Sequence, residues 1–187
     1  IVFSGNLWET HHVINGEPLD TAAVYMRDVQ WVGNPIDDAD MEEAWNVRNG
    51  LARAIDRDLV NEAILGGLGS PAHINVFCNC APEWQSKWEF PYDPAAAEAY
   101  LDASGNTKNS NGVRFEMPLF ANADHNGIRR EVADAISGMW RDVGVDAVVQ
   151  KFNYSVYRPT IVARATTLPW ITSGDDGKTT WPWDWPK

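Results

Sequence analysis

Several features are scarce or absent in this chain of 187 residues, and each absence excludes a class of protein. No stretch approaches the roughly 18 consecutive apolar residues that a membrane-spanning helix needs, so the sequence predicts no such helix. Basic residues number 15 against 26 acidic ones, which gives a formal net charge of -11. This excess of negative charge disfavours non-specific binding to nucleic acid or to anionic membranes, so we expect neither as a partner.

Cysteine is nearly absent, because the chain holds only Cys78 and Cys80 in a C-x-C arrangement. In an extended segment their Cα atoms would lie roughly 6.5–7 Å apart, at the upper edge of disulfide reach. A structural zinc site would want further ligands, and no second cysteine pair exists. Two half-buried thiols or a strained local bridge are therefore expected. His11 and His12 would point to opposite faces of a strand, so we expect no metal site there either.

Motifs that carry catalysis are also missing. The chain has no G-x-S-x-G segment and no P-loop, and the glycines at 66, 67 and 69 follow a predicted helix instead of a strand, which fails the dinucleotide fingerprint. Asp175 and Asp176 have the chemistry of an acid/base pair in a glycosidase-like site. Asp beside Gly is more typical of a turn. We expect no enzyme and no cofactor.

What is present is a clear succession of helix and strand signals. Asp37 to Asp40 offer N-caps for a first helix with Val47, Leu51, Ala54 and Ile55 on one face. Asp56 caps a second helix that ends at Gly66. Asp93-Pro94 begins a third helix over residues 95–103. All three boundaries rest on caps and helix breakers.

The second half of the chain predicts a βαβ unit. Residues 113–119 alternate between apolar and polar, residues 124–143 form a long amphipathic helix, and residues 145–152 form a second strand. Such a crossover joins parallel strands with right-handed connectivity. Pro118 indicates that the first strand lies at a sheet edge or ends early. A short helix is predicted from Tyr154 to Ala165, interrupted by Pro159.

Three blocks of sequence, in order, resemble one known family. The pattern V-R-x-x-L-A-x-A-I-D-R-x-x-V runs from Val47 to Val60, Y-D-P begins at Tyr92, and W-R-D-V-G-V begins at Trp140. Together they resemble the family 5 extracellular solute-binding proteins, the binding components of ABC importers for peptides, nickel and some sugars. The match covers roughly residues 44–160. It departs from the family pattern at Ser104 and Trp140, where the family has Ala and Leu.

The resemblance implies an α/β fold in which helices flank a mixed sheet, as in one lobe of a type II periplasmic-binding-protein clamshell. Residues 1–187 would form a single lobe, the second and C-terminal one, with the N-terminal lobe absent from this chain. Because the chain begins with Ile1 and ends in a Trp-rich tail, we expect a piece of a longer protein. The complete protein would be periplasmic or extracellular, and a lipoprotein anchor is compatible with this expectation.

The resemblance also implies a function. The lobe would bind a small solute without catalysis, a peptide or an oligosaccharide, and an ABC permease would recognise the closed clamshell. The tail resembles the family's cleft segment, in which aromatic and acidic side chains meet the ligand. The expected ligand-binding residues are Trp170, Thr172, Ser173, Asp175, Asp176, Trp181, Trp183, Asp184 and Trp185. Indole faces suit sugar rings or cations, and a carboxylate beside them suits an ammonium group.

Ten tryptophans exceed what a cleft needs, so we expect Trp45, Trp84 and Trp140 to be packing residues. Three other functions stay open at this point. One is a self-sufficient secreted carbohydrate-binding module with a Trp platform. Another is a hydrolase that uses Asp175, Asp176 or Asp184. The third is a lobe that serves only interaction or scaffolding and responds to no small solute.

Overall fold

The computed structural model describes residues 2–3, 15–18, 29–34, 37–70, 72–73, 82–122, 127–162 and 169–171, with the backbone alone at 2–3, 160–162 and 169–171. The helices are α1 (Asp38–Arg53), α2 (Arg57–Leu65), α3 (Pro94–Ala103), α4 (Ile128–Asp142) and α5 (Tyr154–Val162). The strands are β1 (Val2–Phe3), β2 (Phe115–Asn122), β3 (Val145–Phe152) and β4 (Pro169–Ile171). A short 3-10 turn spans Ser86–Trp88. Helices and a mixed sheet together confirm the predicted α/β class.

The sheet has the strand order β1-β4-β2-β3. β2 and β3 are parallel over their whole length, from Phe115 beside Val145 to Asn122 beside Phe152. β4 is parallel to β2 on its other side, and β1 is antiparallel to β4. The predicted βαβ unit is confirmed, since α4 connects the parallel neighbours β2 and β3.

The prediction drawn from Pro118 is wrong for the strand as a whole. β2 has neighbours on both sides and continues to Asn122. β4 is short, however, and pairs with β2 only at Phe120 and Ala121. At Pro118, β3 is therefore the one strand alongside β2 within the described residues. A missing N–H is tolerated at such a locally unpaired position.

The predicted caps are present as hydrogen bonds. The Asp37 side chain accepts from the backbone N–H of Ala39 at the start of α1, at 3.1 Å. Asp56 accepts from Leu59 at the start of α2, at 2.9 Å, and Gly66 ends that helix with φ 61°. Asp93 accepts from Ala96 at 2.9 Å, with Pro94 in the first turn of α3. The predicted beginning of the long helix at Asp124 lies outside the described residues.

One face of the sheet packs against α4 and, beyond it, α1 and α3. The buried cluster draws on every second residue of β2 and β3 and on the apolar faces of these helices. Its members include Val47, Leu51, Ala54, Ile55, Ala97, Leu101, Phe115, Met117, Leu119, Ala121, Ala133, Ile136, Trp140, Val145 and Ala147. The apolar face predicted for the first helix is therefore confirmed as core.

The C-terminal end of α1 is a junction between three other parts of the chain. Three of its last carbonyl groups, which a helix leaves without intrahelical partners, accept hydrogen bonds from elsewhere. Leu51 accepts from the indole of Trp140 at 2.9 Å, and Ala52 accepts from Arg57 at 3.1 Å. Arg53 accepts from the backbone N–H of Asp93 at 3.0 Å. These bonds fix α1 to α4, α2 and the start of α3.

Within the described residues, no helix is long and apolar enough to cross a membrane.

Candidate functional site

The three parallel strands end together at one edge of the sheet. Asn122 is the partner of Phe152, and Ala121 is the partner of Ile171, so the carboxyl ends of β2, β3 and β4 are neighbours. We call this the carboxyl edge. Open α/β sheets bind ligands in the crevice outside the carboxyl ends of their strands, where successive connections leave toward opposite faces.

The chain leaves β2 and β3 in this divergent way. Alternate residues of β2, such as Met117 and Leu119, belong to the core beneath α4. The side chain of Phe120 points to the opposite face because side chains alternate along a strand. There its ring stacks on Tyr157 of α5, with ring centroids 3.9 Å apart. The helix after β2 and the helix after β3 therefore lie on opposite faces of the sheet.

Aromatic side chains line the carboxyl edge. Phe120 is fully buried and stacks on both Tyr157 and Phe152. The ring centroids of Phe120 and Phe152 are 5.8 Å apart. Phe152 and Tyr154 are 42% and 38% exposed. Asn122 ends β2 as a buried polar residue. We call Phe120, Asn122, Phe152, Tyr154 and Tyr157 the carboxyl-edge cluster.

The cluster has the chemistry of a binding surface. The partly exposed rings of Phe152 and Tyr154 offer apolar area to a ligand, and the buried ring of Phe120 stacks on that of Phe152. Among the residues that the structure describes, no three His, Cys, Asp or Glu side chains lie close enough together to hold a metal ion. The described side chains of this edge offer stacking and hydrogen bonding.

Comparison with known proteins decides the family. The model of the bacterial extracellular solute-binding proteins, family 5 Middle, matches residues 25–184. The chain belongs to this family. The predicted resemblance is thereby confirmed. No curated protein sequence matches the chain.

Solved structures show the same fold for this family 5 chain. NikA from Brucella suis, in complex with Fe(III)-EDTA, is 22% identical with a TM-score of 0.55, and the match covers 62% of this chain and 24% of that one. AppA from Bacillus subtilis, in complex with a nonapeptide, is 21% identical with a TM-score of 0.54, covering 69% and 27%. NikZ from Campylobacter jejuni, in complex with Ni(L-His), is 21% identical with a TM-score of 0.51, covering 66% and 26%. The matched part therefore spans about a quarter of each solved protein, and the likeness confirms the type II periplasmic-binding-protein fold.

The predicted ligand-binding residues of the family 5 chain lie almost entirely outside the described residues. Trp170 is described as backbone in β4, where it is the register partner of Phe120. The remaining eight, Thr172, Ser173, Asp175, Asp176, Trp181, Trp183, Asp184 and Trp185, are not described. Their role stays a prediction. What the structure adds is the position of Ile171, which immediately precedes them, at the carboxyl edge.

The three tryptophans predicted to be packing residues have different environments. Trp140 is fully buried, as predicted. Trp84 packs edge-on against Trp88 and donates from its indole to Glu89 at 2.9 Å. For Trp45 the prediction is wrong in part, because its side chain is 50% exposed and contacts the ring of Tyr100 in a T-shaped arrangement. A tryptophan on a helix surface is held here by one aromatic neighbour.

Other residues considered from the sequence lie outside the described part of the chain. These are Cys78, Cys80, His11 and His12.

Sequence reasoning missed the carboxyl-edge cluster. Phe120 lies one residue beyond the predicted strand of residues 113–119, Phe152 ends the second predicted strand, and Tyr154 and Tyr157 lie at the beginning of the predicted helix. The spacing of Tyr154 and Tyr157 could have indicated the cluster. They are three residues apart on a helix that begins directly after a strand, so they share one face of that helix.

Proposed function

We propose that this chain is the C-terminal lobe of a two-lobed protein that captures a small solute and delivers it to an ABC importer. Membership of the family supports solute binding without catalysis. The protein would work in the periplasm or outside the cell, in its full-length form as a lipoprotein. Closure of the two lobes around the solute would create the form that the permease recognises, with contacts to both lobes stabilising that form.

One observation carries this proposal. β4 lies parallel to β2, and its last residue, Ile171, is the partner of Ala121 at the carboxyl edge. The segment that holds the predicted ligand-binding residues therefore begins where open α/β sheets bind their ligands. The partly exposed rings of Phe152 and Tyr154 lie at the carboxyl end of β3, on the other side of β2 from β4. Sequence chemistry and sheet topology thus favour the same edge of the molecule.

A peptide is the ligand that we propose first, and an oligosaccharide second. A carboxylate from Asp175, Asp176 or Asp184 would pair with the amino terminus of a peptide through a charge-assisted hydrogen bond. Indole faces from Trp170, Trp181, Trp183 and Trp185 would stack on its side chains or on sugar rings. The relative AppA was solved with a nonapeptide, whereas NikA and NikZ were solved with metal chelates. Membership alone therefore does not select the ligand.

Calorimetric titration of two proteins tests the proposal: this 187-residue chain, and a longer protein that includes the other lobe. Each is titrated with di- to nonapeptides and with oligosaccharides of two to six units. We expect saturable binding of one class by the longer protein, and at least about 100-fold weaker binding by the single lobe, because closure buries the ligand from both sides. Equal binding by the single lobe would favour a self-sufficient Trp-platform module. Hydrolysis of a ligand, lost on Asp→Asn substitution, would favour an enzyme.

The ligand-binding residues are tested in the longer protein. Trp183→Ala and Asp175→Asn should each weaken binding about 10-fold or more, the effect of removing a stacked ring or a charge-assisted hydrogen bond. Val148→Ala serves as the control, because Val148 is exposed on β3 well before its carboxyl end. Unchanged affinity in all three variants would remove the tail from the site.

A further inference from the structure

Three hydrogen bonds and one cation–π contact attach the segment of residues 82–93, which leads into α3, to Arg53, Arg57 and His73, and the ring of Trp84 also lies 6.2 Å from that of His73. The carbonyl oxygen of Phe90 accepts from Arg57 at 3.0 Å, and the guanidinium of Arg53 lies 5.4 Å from the centre of the Phe90 ring. The N–H of Asp93 donates to the carbonyl of Arg53 at 3.0 Å. The N–H of Phe90 donates to Nδ1 of His73, also at 3.0 Å.

The bond to His73 differs from the other three in its dependence on pH. Backbone amides and guanidinium groups keep their protonation states through the physiological range. Imidazole is the side chain that changes charge there. Its Nδ1 accepts a hydrogen bond only while that nitrogen carries no proton. Of these four contacts, the one between Phe90 and His73 therefore exists only with neutral His73.

The surroundings of His73 favour the neutral ring. Burial lowers the pKa of His73 below its ordinary value, and the positive charge of Arg57 lowers it further. Glu89, the backbone hydrogen bond with Phe90 and Asp58 act in the opposite direction, but the net shift of the His73 pKa is downward. Residues 74–81, which follow His73, contain no Asp, Glu, Lys, Arg or His. A proton on His73 would also place a second cation near Arg57, which is fixed by carbonyl groups of Ala52, Ile55, Ala72 and Phe90.

We propose that His73 is an acid-sensitive latch: while neutral it accepts from the Phe90 N–H and helps to hold the 82–93 segment near the end of α1, and when protonated it gives up that one contact and loosens the segment around Phe90. Release would remove the acceptor from the Phe90 N–H while the arginine contacts stay in place. The effect is local, since the contacts of Trp140 and the core do not involve His73. The latch is independent of the solute site proposed at the carboxyl edge.

Hydrogen–deuterium exchange of the 187-residue chain at two pH values, one well above and one well below the His73 pKa located by NMR titration, tests the latch, with labelling times scaled for the intrinsic exchange rate. We expect peptides that contain Phe90 to lose protection about three- to tenfold at the lower pH, the effect of losing one hydrogen bond. Peptides from β2 and β3 should keep their protection at both pH values. Equal protection of the Phe90 peptides at the two pH values would overturn the proposal.

His73→Asn is the decisive variant. The Oδ1 of Asn branches from Cγ as Nδ1 does in histidine, so it can accept from Phe90, but it does not titrate. We expect its protection at Phe90 to be the same at both pH values. His73→Phe has no acceptor for the Phe90 N–H, so its Phe90 peptides should be as weakly protected at both pH values as those of the protonated wild type. A pH response in His73→Asn as large as that of the wild type would overturn the proposal.

The unmodified chain supplies a second test that does not depend on how a variant folds. NMR titration of the His73 ring should give a pKa below the ordinary histidine value of about 6.5. The amide resonance of Phe90 should shift along the same titration curve. A His73 pKa at or above the ordinary value, or a Phe90 amide that does not follow it, would contradict the latch.

Discussion

The indole Nε1 of Trp140 donates a hydrogen bond of 2.9 Å to the carbonyl oxygen of Leu51. Both side chains are fully buried. The carbonyl of Leu51 has no intrahelical partner because α1 ends two residues later, at Arg53. One side chain of the βαβ unit thus completes the end of the helix that carries the family's sequence pattern.

Trp140→Phe should destabilise the protein by about 2–4 kcal/mol, because it leaves a cavity and a buried carbonyl without its donor. Urea denaturation at pH 7.5 gives the free energy of unfolding. Trp45→Phe is the matched control, since Trp45 is half exposed and its contact with Tyr100 is available to a smaller ring. The control should change stability by less than about 1 kcal/mol. Equal effects of the two substitutions would show that the Leu51 contact contributes nothing.

Two helical glycines should respond to alanine with opposite signs. A Cβ at Gly50 would lie 2.8 Å from Cγ of Leu101 and 2.9 Å from the carbonyl oxygen of Ala97, so it would force α1 and α3 apart. A Cβ at Gly138 in α4 would meet no atom within 4 Å. Alanine gains about 1 kcal/mol over glycine in a helix, but overpacking costs about 1–3 kcal/mol.

Gly50→Ala should therefore destabilise the protein by up to about 2 kcal/mol, the overpacking cost less the helix gain. Gly138→Ala should stabilise it by about 0.5–1 kcal/mol. Thermal unfolding of the two variants side by side measures both changes. A stabilising Gly50→Ala would mean that α1 and α3 can separate slightly at no cost.

Local signals were sufficient to predict where the helices begin and end. Asp37, Asp56 and Asp93 all cap as expected, and Gly66 ends α2 in the left-handed conformation. These features depend on neighbours in sequence. The contact of Trp140 with Leu51 joins residues 89 positions apart, and no local pattern reports it.

The site was harder to predict for the same reason. Residues of the tail were selected for their chemistry, and β4 was not predicted as a strand. Its position beside β2 is what places Ile171 at the carboxyl edge. Phe120 and Tyr157 face each other only because α5 crosses the face of the sheet opposite α4. The order of the strands in the sheet determines which residues meet at the carboxyl edge. The alternation of residues along a single strand does not reveal that order.

Arg114 is the buried charged side chain whose removal should be most damaging to the βαβ unit. Its side chain is 1% exposed, and its guanidinium contacts Asp102. It also donates to the carbonyls of Val143 at 2.9 Å and Asn106 at 2.7 Å. Arg114→Met would leave both carbonyls without this donor, so we expect a loss of about 2–4 kcal/mol.

The control for Arg114 is Arg141→Met. Arg141 also pairs with a carboxylate, Asp146, at 3.0 Å, but both side chains are well exposed, at 53% and 40%. Exposed pairs contribute about 0–1 kcal/mol. Arg141 also donates to the carbonyl of Ala147 at 2.9 Å, but that carbonyl keeps Ser137 as a donor, so this variant should be nearly neutral. Urea denaturation of both variants gives the comparison. Similar losses would indicate that burial of the guanidinium is not what makes Arg114 important.

The pH dependence of stability should contain a contribution from His73. In the unfolded chain the imidazole takes up its proton near pH 6.5. In the folded chain burial and Arg57 lower the pKa of His73, so the unfolded state binds the proton first. The contribution of His73 to the free energy of unfolding is therefore fully present above about pH 6.5. It falls as the pH decreases toward the folded-state pKa and stays constant below that pKa.

Urea denaturation between pH 8 and pH 5 separates this contribution from those of other groups. His73→Asn keeps an acceptor for Phe90 but has no proton to bind, so its unfolding free energy should fall less steeply than that of the wild type below pH 6.5. Carboxylates elsewhere affect both proteins equally and cancel in the difference. Parallel curves would mean that His73 has the same pKa in both states. If the wild type instead gained stability relative to the variant on acidification, folding would raise the pKa of His73. The imidazole would then not be neutral in the folded protein.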